Sequence, residues 1–600
     1  MLASELHERV TNCAIGAYRG PRSFGHPMSP SGAIGPPSEG AGPLRVGAIS
    51  REGTAVTIST NAAINDAADG ATYVDHQMLV DWLSSPGTYG RGADPVETIE
   101  THISQVFLAG PFVYKLKKPV RFEFLDFSTP ALRRLACQAE YRLNRRLAPD
   151  TYLGVLPITI EGDGHFALDG DGPVVDWVVK MRRLDTTRTL DRRIREGRLR
   201  PEHVARLARR LTSFYLQASP MLVRAEDYQS EVEHNVRANF EELIRPVHRL
   251  PPALVHRVAS SQWRFLVLAP ELLRDRVCDG RVIDGHGDLR PEHVVLDDDV
   301  VIFDCVEFND ELRRVDVADE LAFLAMECDF LAADAVGDEI RQSYSSTAAD
   351  RLPASLWAFY KSYRATVRAK VAALRSEQVE GAARDQAGRA AEEYLALADR
   401  YRGALGPPLL LVVRGRSGTG KTTLAEAMAT RLAAERLSTD AIRIERFGPP
   451  AGTEPYGGGR YDDDSRRAVY EEMFRRAGRA LADGLSVVLD GTFLAASARE
   501  EAVMIARRHG AVPLVVTCTC PAEVVRERIA RRIRRGNSHS EAATETYEAQ
   551  AAYDEPDRRD LPVLEVDSTE SLAAQVASVV ARLRNIASPA LEQAAGGRAQ

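Results

Sequence analysis

Residues 415–422 read Gly-Arg-Ser-Gly-Thr-Gly-Lys-Thr, a complete G-x-x-x-x-G-K-[ST] spacing, and Thr423 follows. A loop of this kind turns consecutive backbone N–H groups inward around a β-phosphate. Gly415, Arg416, Ser417, Gly418, Thr419, Gly420, Lys421, Thr422 and Thr423 are therefore expected to hold a nucleoside triphosphate. Lys421 neutralises charge at the β and γ positions, and the Thr422 hydroxyl is suited to a Mg2+ ion. Further along, Ser438-Thr439-Asp440-Ala441-Ile442-Arg443 stands where a second strand should end. Asp440 is the candidate base for an acceptor hydroxyl, and Arg443, one helical turn on, is the candidate for an anionic group on that acceptor. Val487-Val488-Leu489-Asp490 places another carboxylate at a strand end, where it supports the metal. Arg526, Arg528, Arg531, Arg532, Arg534 and Arg535 crowd one helix and the loop after it. Such density repels itself unless phosphates are present, which predicts a lid whose arginines, Arg531 among them, clamp the transferring group.

A second constellation lies upstream, His286-Gly287-Asp288-Leu289-Arg290-Pro291-Glu292-His293, followed by Val300-Val301-Ile302-Phe303-Asp304. The acidic stretch 297–299 between two short apolar runs predicts a β-hairpin that returns Asp304 to the side of Asp288. Two carboxylates so placed can divide the work: one accepts a hydroxyl proton and the other holds Mg2+ against phosphates.

The elements needed to position these groups are legible. Leu409 to Val413 predicts a buried strand feeding the phosphate loop, and Leu424, Ala427, Met428 and Leu432 give a helix after it. Strands at 486–490, 512–518 and 562–567 alternate with helices at 496–509, 521–534 and 570–585, the pattern of a doubly wound parallel sheet. Upstream, 106–108 and 112–117 predict a hairpin, 130–147 a helix carrying Glu140, and 174–184 a strand running into a connector. Helical periodicity follows in 201–218, 227–246, 262–275, 316–333 and 355–403. The domain reading is a disordered segment 1–75 rich in Gly, Pro and Ser, a domain 76–400, a second domain 401–587 and a disordered tail 588–600.

At 600 residues and net charge −8, the chain has no overall basic footprint for nucleic acid or an anionic membrane. The seven cysteines form no C-x-x-C ladder, which suits a reducing compartment. With no apolar run long enough to cross a bilayer and no leader pattern at the N-terminus, the expected location is the cytoplasm. Only seven of the 77 basic residues are lysines, so the cluster Lys115, Lys117 and Lys118 stands out.

The phosphate loop, the S-T-D-x-x-R segment, the V-V-L-D-G-T-F strand and the arginine lid resemble the small P-loop kinases that phosphorylate metabolites or nucleic-acid ends. The S-T-D-x-x-R segment also resembles the 5′-hydroxyl polynucleotide kinases. His286-Gly287-Asp288 with Asp304 resembles the aminoglycoside phosphotransferase family, a protein-kinase-like fold. That resemblance implies Asp288 as catalytic base, Asp304 as a Mg2+ ligand, Lys115 or Lys117 on the α/β-phosphates and Glu140 as the lysine's partner. It also places an Asn where this chain has His293. The whole order, with V-Y-K-L-K-K-P-V at 113–120 and L-N-R-R-L-A-P at 143–149, resembles bacterial bifunctional proteins that join an aminoglycoside-phosphotransferase-like half to an ATP-binding half. The fold expected is α+β followed by α/β. The function expected is ATP- and Mg2+-dependent phosphoryl transfer to hydroxyls of small molecules, with nucleic acid a less favoured partner and no membrane. The alternatives are a regulatory pseudo-kinase half joined to a nucleic-acid end kinase, or a nucleotide-switched binding module.

Overall fold

The computed structural model describes residues 74–90, 94–122, 125–162, 164–449, 458–534, 544–557 and 560–596. Residues 1–73 of the predicted segment 1–75, and residues 535–543 at the predicted lid, lie outside the described residues. The chain divides into two compact units: 74–137 with 154–181, and 138–153 with 182–596.

In the first unit, period-2 alternation builds a sheet. Helix α1 (His76–Ser84) precedes β1 (Glu97–Glu100), β2 (Ser104–Ala109) and β3 (Phe112–Lys117), then α2 (Pro130–Asn144), β4 (Tyr152–Ile160), β5 (Phe166–Leu168) and β6 (Val174–Arg182). The six strands run in the order β1-β2-β3-β6-β4-β5. The predicted hairpin is β2–β3, antiparallel with Val106 opposite Lys115. Leu79 and Leu83 of α1 bury against Phe107, Leu116, Ile158, Val175 and Val178. Arg133 is tied to Asp176 by two donors, Nε at 2.9 Å and Nη2 at 2.8 Å, both side chains buried.

After residues 138–153 and a short helix at Leu190–Arg195, the second unit continues with helices α3 (Pro201–Gln217), α4 (Ala225–Leu243), α5 (Pro252–Leu268) and α6 (Pro270–Cys278). Periodicity alone merges 262–275 into one helix, but Pro270 removes a donor and starts a new one after Ala269. Short strands β7 (Val282–Asp284), β8 (Val294–Leu296), β9 (Val300–Ile302) and β10 (Arg314–Asp316) follow. The expected acidic hairpin is β8–β9, with Leu296 opposite Val300. Helices α7 (Val317–Phe330), α8 (Asp334–Thr347), α9 (Ala354–Gln378) and α10 (Gly381–Arg400) complete the helical part. The predicted stretch 355–403 is thus two helices. Gly381, at φ +59°, turns the chain, and the apolar faces of α9 and α10 pack on each other, so one period continues through the break.

The remaining elements are β11 (Leu409–Arg414), α11 (Lys421–Leu432), β12 (Glu435–Ser438), α12 (Thr439–Phe447), α13 (Asp463–Ala482), β13 (Val487–Asp490), α14 (Ala496–Arg508), β14 (Val512–Thr519), α15 (Ala522–Arg534), α16 (Thr544–Ala551), β15 (Val563–Asp567) and α17 (Leu572–Gly596). Five strands pair in parallel in the order β12-β13-β11-β14-β15, the doubly wound sheet expected of the sequence. Residues 588–596, expected as a disordered tail, continue α17. The sheet core also takes in Val267 and Leu268 from α5. Arg584 Nε donates to the Val267 carbonyl at 2.8 Å, and Arg431 of α11 pairs with Glu233 of α4 at 3.4 Å. The helical part and the phosphate-loop part therefore share one apolar seam across residues 401–408. Among the described residues, no helix is long and apolar enough to cross a membrane.

Candidate functional site

The phosphate loop joins the C-terminal end of β11 to the N-terminus of α11, whose helix dipole and first amides favour an anion. Gly415 has φ +147°, and a Cβ there would stand 2.6 Å from Thr419 Oγ1 and 2.9 Å from the Cys518 carbonyl oxygen. Gly420 caps α11 at φ +91° beside Ser568 and Arg528. A side chain at either position strains the backbone, which is why these glycines fix the loop's shape.

Around the loop the structure gathers four of the predicted groups. Thr422 Oγ1 donates to Asp490 Oδ1 at 3.2 Å, which brings the hydroxyl and carboxylate together at the edge of the loop. Burial pushes the Asp490 carboxyl up, against the opposing pull of Lys421 and Arg436. Asp440 lies in the first turn of α12 and accepts from Arg443 Nη1 at 2.8 Å, and the Arg443 guanidinium also lies over the Tyr461 ring at 4.4 Å. Ser438 is the N-cap of α12, so Asp440 is not spent on capping. An oxygen-rich pair of Thr422 and Asp490 fits Mg2+.

Other contacts are invisible in the sequence. Arg436 Nη1 donates to Asp490 Oδ2 at 2.9 Å; its one signal is a charge two residues before Ser438 on a strand, hence on the same face. Gln550 of α16 makes a reciprocal pair with the loop: Ser417 N donates to Gln550 Oε1 at 2.8 Å, and Gln550 Nε2 donates to Ser417 Oγ at 3.0 Å. Arg416 lies over Tyr547 of the same helix at 4.3 Å. Arg499, fully buried, donates to the carbonyls of Phe493 at 2.7 Å and Leu494 at 2.8 Å and pins the loop after β13. Of the arginines on α15, Arg531 pairs with Glu527 at 3.0 Å on an exposed face of its own helix. Arg528 instead reaches the phosphate loop's flank, donating to Ser568 Oγ at 2.9 Å and the Ser568 carbonyl at 2.7 Å. Arg531, expected from the sequence to contact ATP, is thus paired within its own helix, and Arg528 is the α15 arginine beside Gly420.

The upstream constellation is also assembled, by different means. Glu320 Oε1 accepts from the backbone amides of His286 and Gly287, each at 2.7 Å, and Oε2 accepts from the Tyr215 hydroxyl at 2.8 Å. His286 is buried, which pushes its imidazole down to about 4. Asp288 Oδ2 accepts from Arg290 Nε at 3.1 Å. Asp304 has φ +63°, and its amide donates to the Tyr152 hydroxyl at 3.3 Å. His293 stands between the two carboxylates: Nδ1 is 3.7 Å from Asp288 Oδ2, and Nε2 is 3.7 Å from Asp304 Oδ2. The hairpin thus returns Asp304 to the neighbourhood of Asp288, as its spacing predicts. Lys115 and Lys117 lie on one face of β3, Lys117 buried and Lys115 half-buried, and Glu140 is buried on α2.

Compared with known proteins, residues 410–556 match the family model of an AAA domain. A crystal structure of a gluconokinase from Sinorhizobium meliloti 1021 is 24% identical, covers 31% of this chain and 97% of its own, and superposes with a TM-score of 0.24. The Mycobacterium tuberculosis APS kinase CysC in complex with AMPPNP and APS is 19% identical over 30% of this chain and 98% of its own, at a TM-score of 0.23. Over a far longer span the chain is similar to the uncharacterized protein Rv2004c of Mycobacterium tuberculosis H37Rv, 34% identical over 470 residues, which is 76% of this chain and 90% of that protein. The uncharacterized protein Mb2027c of Mycobacterium bovis matches to the same extent. At that identity and coverage, the chain belongs to the family of these mycobacterial proteins.

Proposed function

We propose that residues 401–587 form an ATP-dependent kinase that transfers the γ-phosphoryl group to a hydroxyl of a small molecule. The observation that carries this reading is the convergence of Thr422, Asp490, Asp440 and Arg443 on one edge of the phosphate loop. Glycine-shaped backbone holds the β-phosphate, Lys421 sets charge against the γ-phosphate, and Thr422 with Asp490 would hold Mg2+, which supplies charge neutralisation between the phosphates. Asp440 takes the proton of the attacking hydroxyl. Arg443, already half of an ion pair with it, stands ready for an anionic group on the acceptor.

A second reading concerns residues 76–400. In it Asp288 is a base and Asp304 a metal ligand, as the resemblance to aminoglycoside phosphotransferases implies; the return of Asp304 to the neighbourhood of Asp288 supports it, and His293, where that family has Asn, counts against it. The experiment for the first reading is calorimetric binding of Mg-ATP to the whole chain and to Lys421→Ala, followed by transfer of labelled γ-phosphate to a panel of sugars, sugar acids and a 5′-hydroxyl oligonucleotide. Lys421→Ala is expected to lose transfer altogether and to weaken binding at the phosphate loop about a hundredfold. Tight ATP binding without transfer to any acceptor would leave a nucleotide-switched module; label on the oligonucleotide would make the enzyme a nucleic-acid end kinase.

A further inference from the structure

Along α5 the residues Arg257, Ser260, Arg264, Val267 and Leu268 recur at helical spacing, so they share one face. The apolar end of that stripe, Val267 and Leu268, enters the core beneath the parallel sheet. Arg264 lies one turn before this contact, on the face turned to the seam. It is only 1% exposed, and its Nε and Nη1 are buried with no hydrogen-bond partner. Among the described residues, no carboxylate pairs with it.

The charge that Arg264 feels has its own sign. Arg402 belongs to the turn Arg402–Ala404, which packs on α5. Burial first, and Arg402 second, push the Arg264 guanidinium down to about 9, so the group still carries its charge at neutral pH. Arg402 Nε is itself buried with no hydrogen-bond partner. Asp399 Oδ1 lies 3.3 Å from it, outside hydrogen-bond geometry, and already accepts from Arg257 Nε at 2.9 Å. Ser260 Oγ, one turn before Arg264, is buried and unpartnered as well. Three guanidinium donors on two arginines of like charge, with a hydroxyl one turn away, thus lie in one stretch of the seam. A buried charge without a counter-charge is among the costliest arrangements in a folded protein, and an anion shared by the two arginines relieves it.

We propose that Arg264 and Arg402 bind a small monovalent inorganic anion of the halide class between them, inside the seam that joins the helical part to the phosphate-loop part. The inference rests on these donors and not on the phosphate-loop reading. A halide suits the place better than an oxyanion. It accepts from any direction, whereas phosphate brings further oxygens that need donors, and the nearby Val267, Leu268 and Leu405 are apolar and buried. The Arg402 side chain is about one-third exposed, which gives the ion a way in.

The test follows thermal melting of the whole chain in sodium gluconate, with chloride or bromide replacing gluconate at constant ionic strength. The melting temperature is expected to rise by about 3 °C or more over a hundredfold increase in either halide. The rise should persist in Lys421→Ala, which removes a cation from the phosphate loop. Arg264→Met keeps the length of the side chain without its charge, and the response to halide should be lost. On the unaltered chain, the chloride nuclear magnetic resonance line should broaden and sharpen again as bromide is added, a readout that does not depend on any variant folding. A melting temperature indifferent to halide, a response given by phosphate and not by chloride, a response that survives Arg264→Met, or one lost in Lys421→Ala would each overturn the proposal.

Discussion

The phosphate loop and the His286–Asp304 segment are two ways of holding charge in one chain. In the first, the backbone does the holding: glycines at positive φ aim amides inward, and the side chains Thr422, Asp490 and Asp440 stand around an edge already shaped by main chain. In the second, side chains hold the backbone. Glu320 grips the amides of His286 and Gly287, Tyr215 grips Glu320, Asn144 grips Cys305, and Tyr152 takes the Asp304 amide. A site built from main chain announces itself in a short spacing of residues. A site built from packed side chains depends on partners far away along the chain, and its short motif is correspondingly less informative.

The comparison can be broken most forcefully at Asp440. Asp440→Asn keeps shape and hydrogen bonding but removes the proposed base, so phosphoryl transfer should fall about a thousandfold in kcat with the KM for ATP little changed, measured by initial rates. An unchanged kcat would move the base elsewhere and end the likeness of the two sites as carboxylate-driven centres. Glu320→Ala should be the costliest change at the upstream site, about 3 kcal/mol or more of stability, because three buried donors lose their acceptor together. Denaturant unfolding measures it, and a loss below about 1 kcal/mol would mean that the amides find other partners.

Asp490 sharpens the contrast, since there stability and function should separate. Its folded-state affinity for a proton is raised by burial. The group's stabilising contribution is therefore present below its ordinary range and lost as pH rises through the raised value. In the nucleotide-free protein at neutral pH, Asp490→Asn should raise stability by about 1 kcal/mol and flatten that acid-side slope, while Mg2+-dependent transfer falls. Thermal melts across acid to neutral pH decide it, and a variant less stable than the parent at neutral pH would reverse the sign. The smallest effect is expected at Gln550→Ala. Loss of its reciprocal bonds to Ser417 should raise the KM for ATP several-fold, about 1 kcal/mol, with kcat preserved, because the loop's glycines still set its main course.

What the sequence alone makes visible follows the same division. The Leu409–Val413 run, the alternation after it and the acidic hairpin at 297–299 depend on neighbours in sequence, and each appears where the pattern places it. Glu320 is half visible, as one of two carboxylates, with Asp319, in the otherwise apolar stretch 317–326, but its three donors come from 33 to 105 residues away. Gln550 gives no signal, being a polar residue in a polar helix. Arg531 and Arg528 differ only in helical phase, and which of them faces the loop is decided by what α15 packs on. The division of 355–403 is hidden because α9 and α10 bury matching faces, and the helical character of 588–596 because Ser588-Pro589 at its start reads as a helix break.

The seam formed by Val267 and Leu268 has a thermodynamic consequence. Because residues of α5 complete the core beneath the parallel sheet, the helices upstream and the strands downstream of residue 405 cannot melt independently without wetting that surface. A nucleotide held at the loop at a hundred times its dissociation constant would contribute about 2.7 kcal/mol, and that gain would be felt by α5 as well as by β11. Amide protons in the 252–268 helix should then exchange more slowly when ATP is bound some way off, an effect of shared cohesion that requires no signal to pass between the two sites.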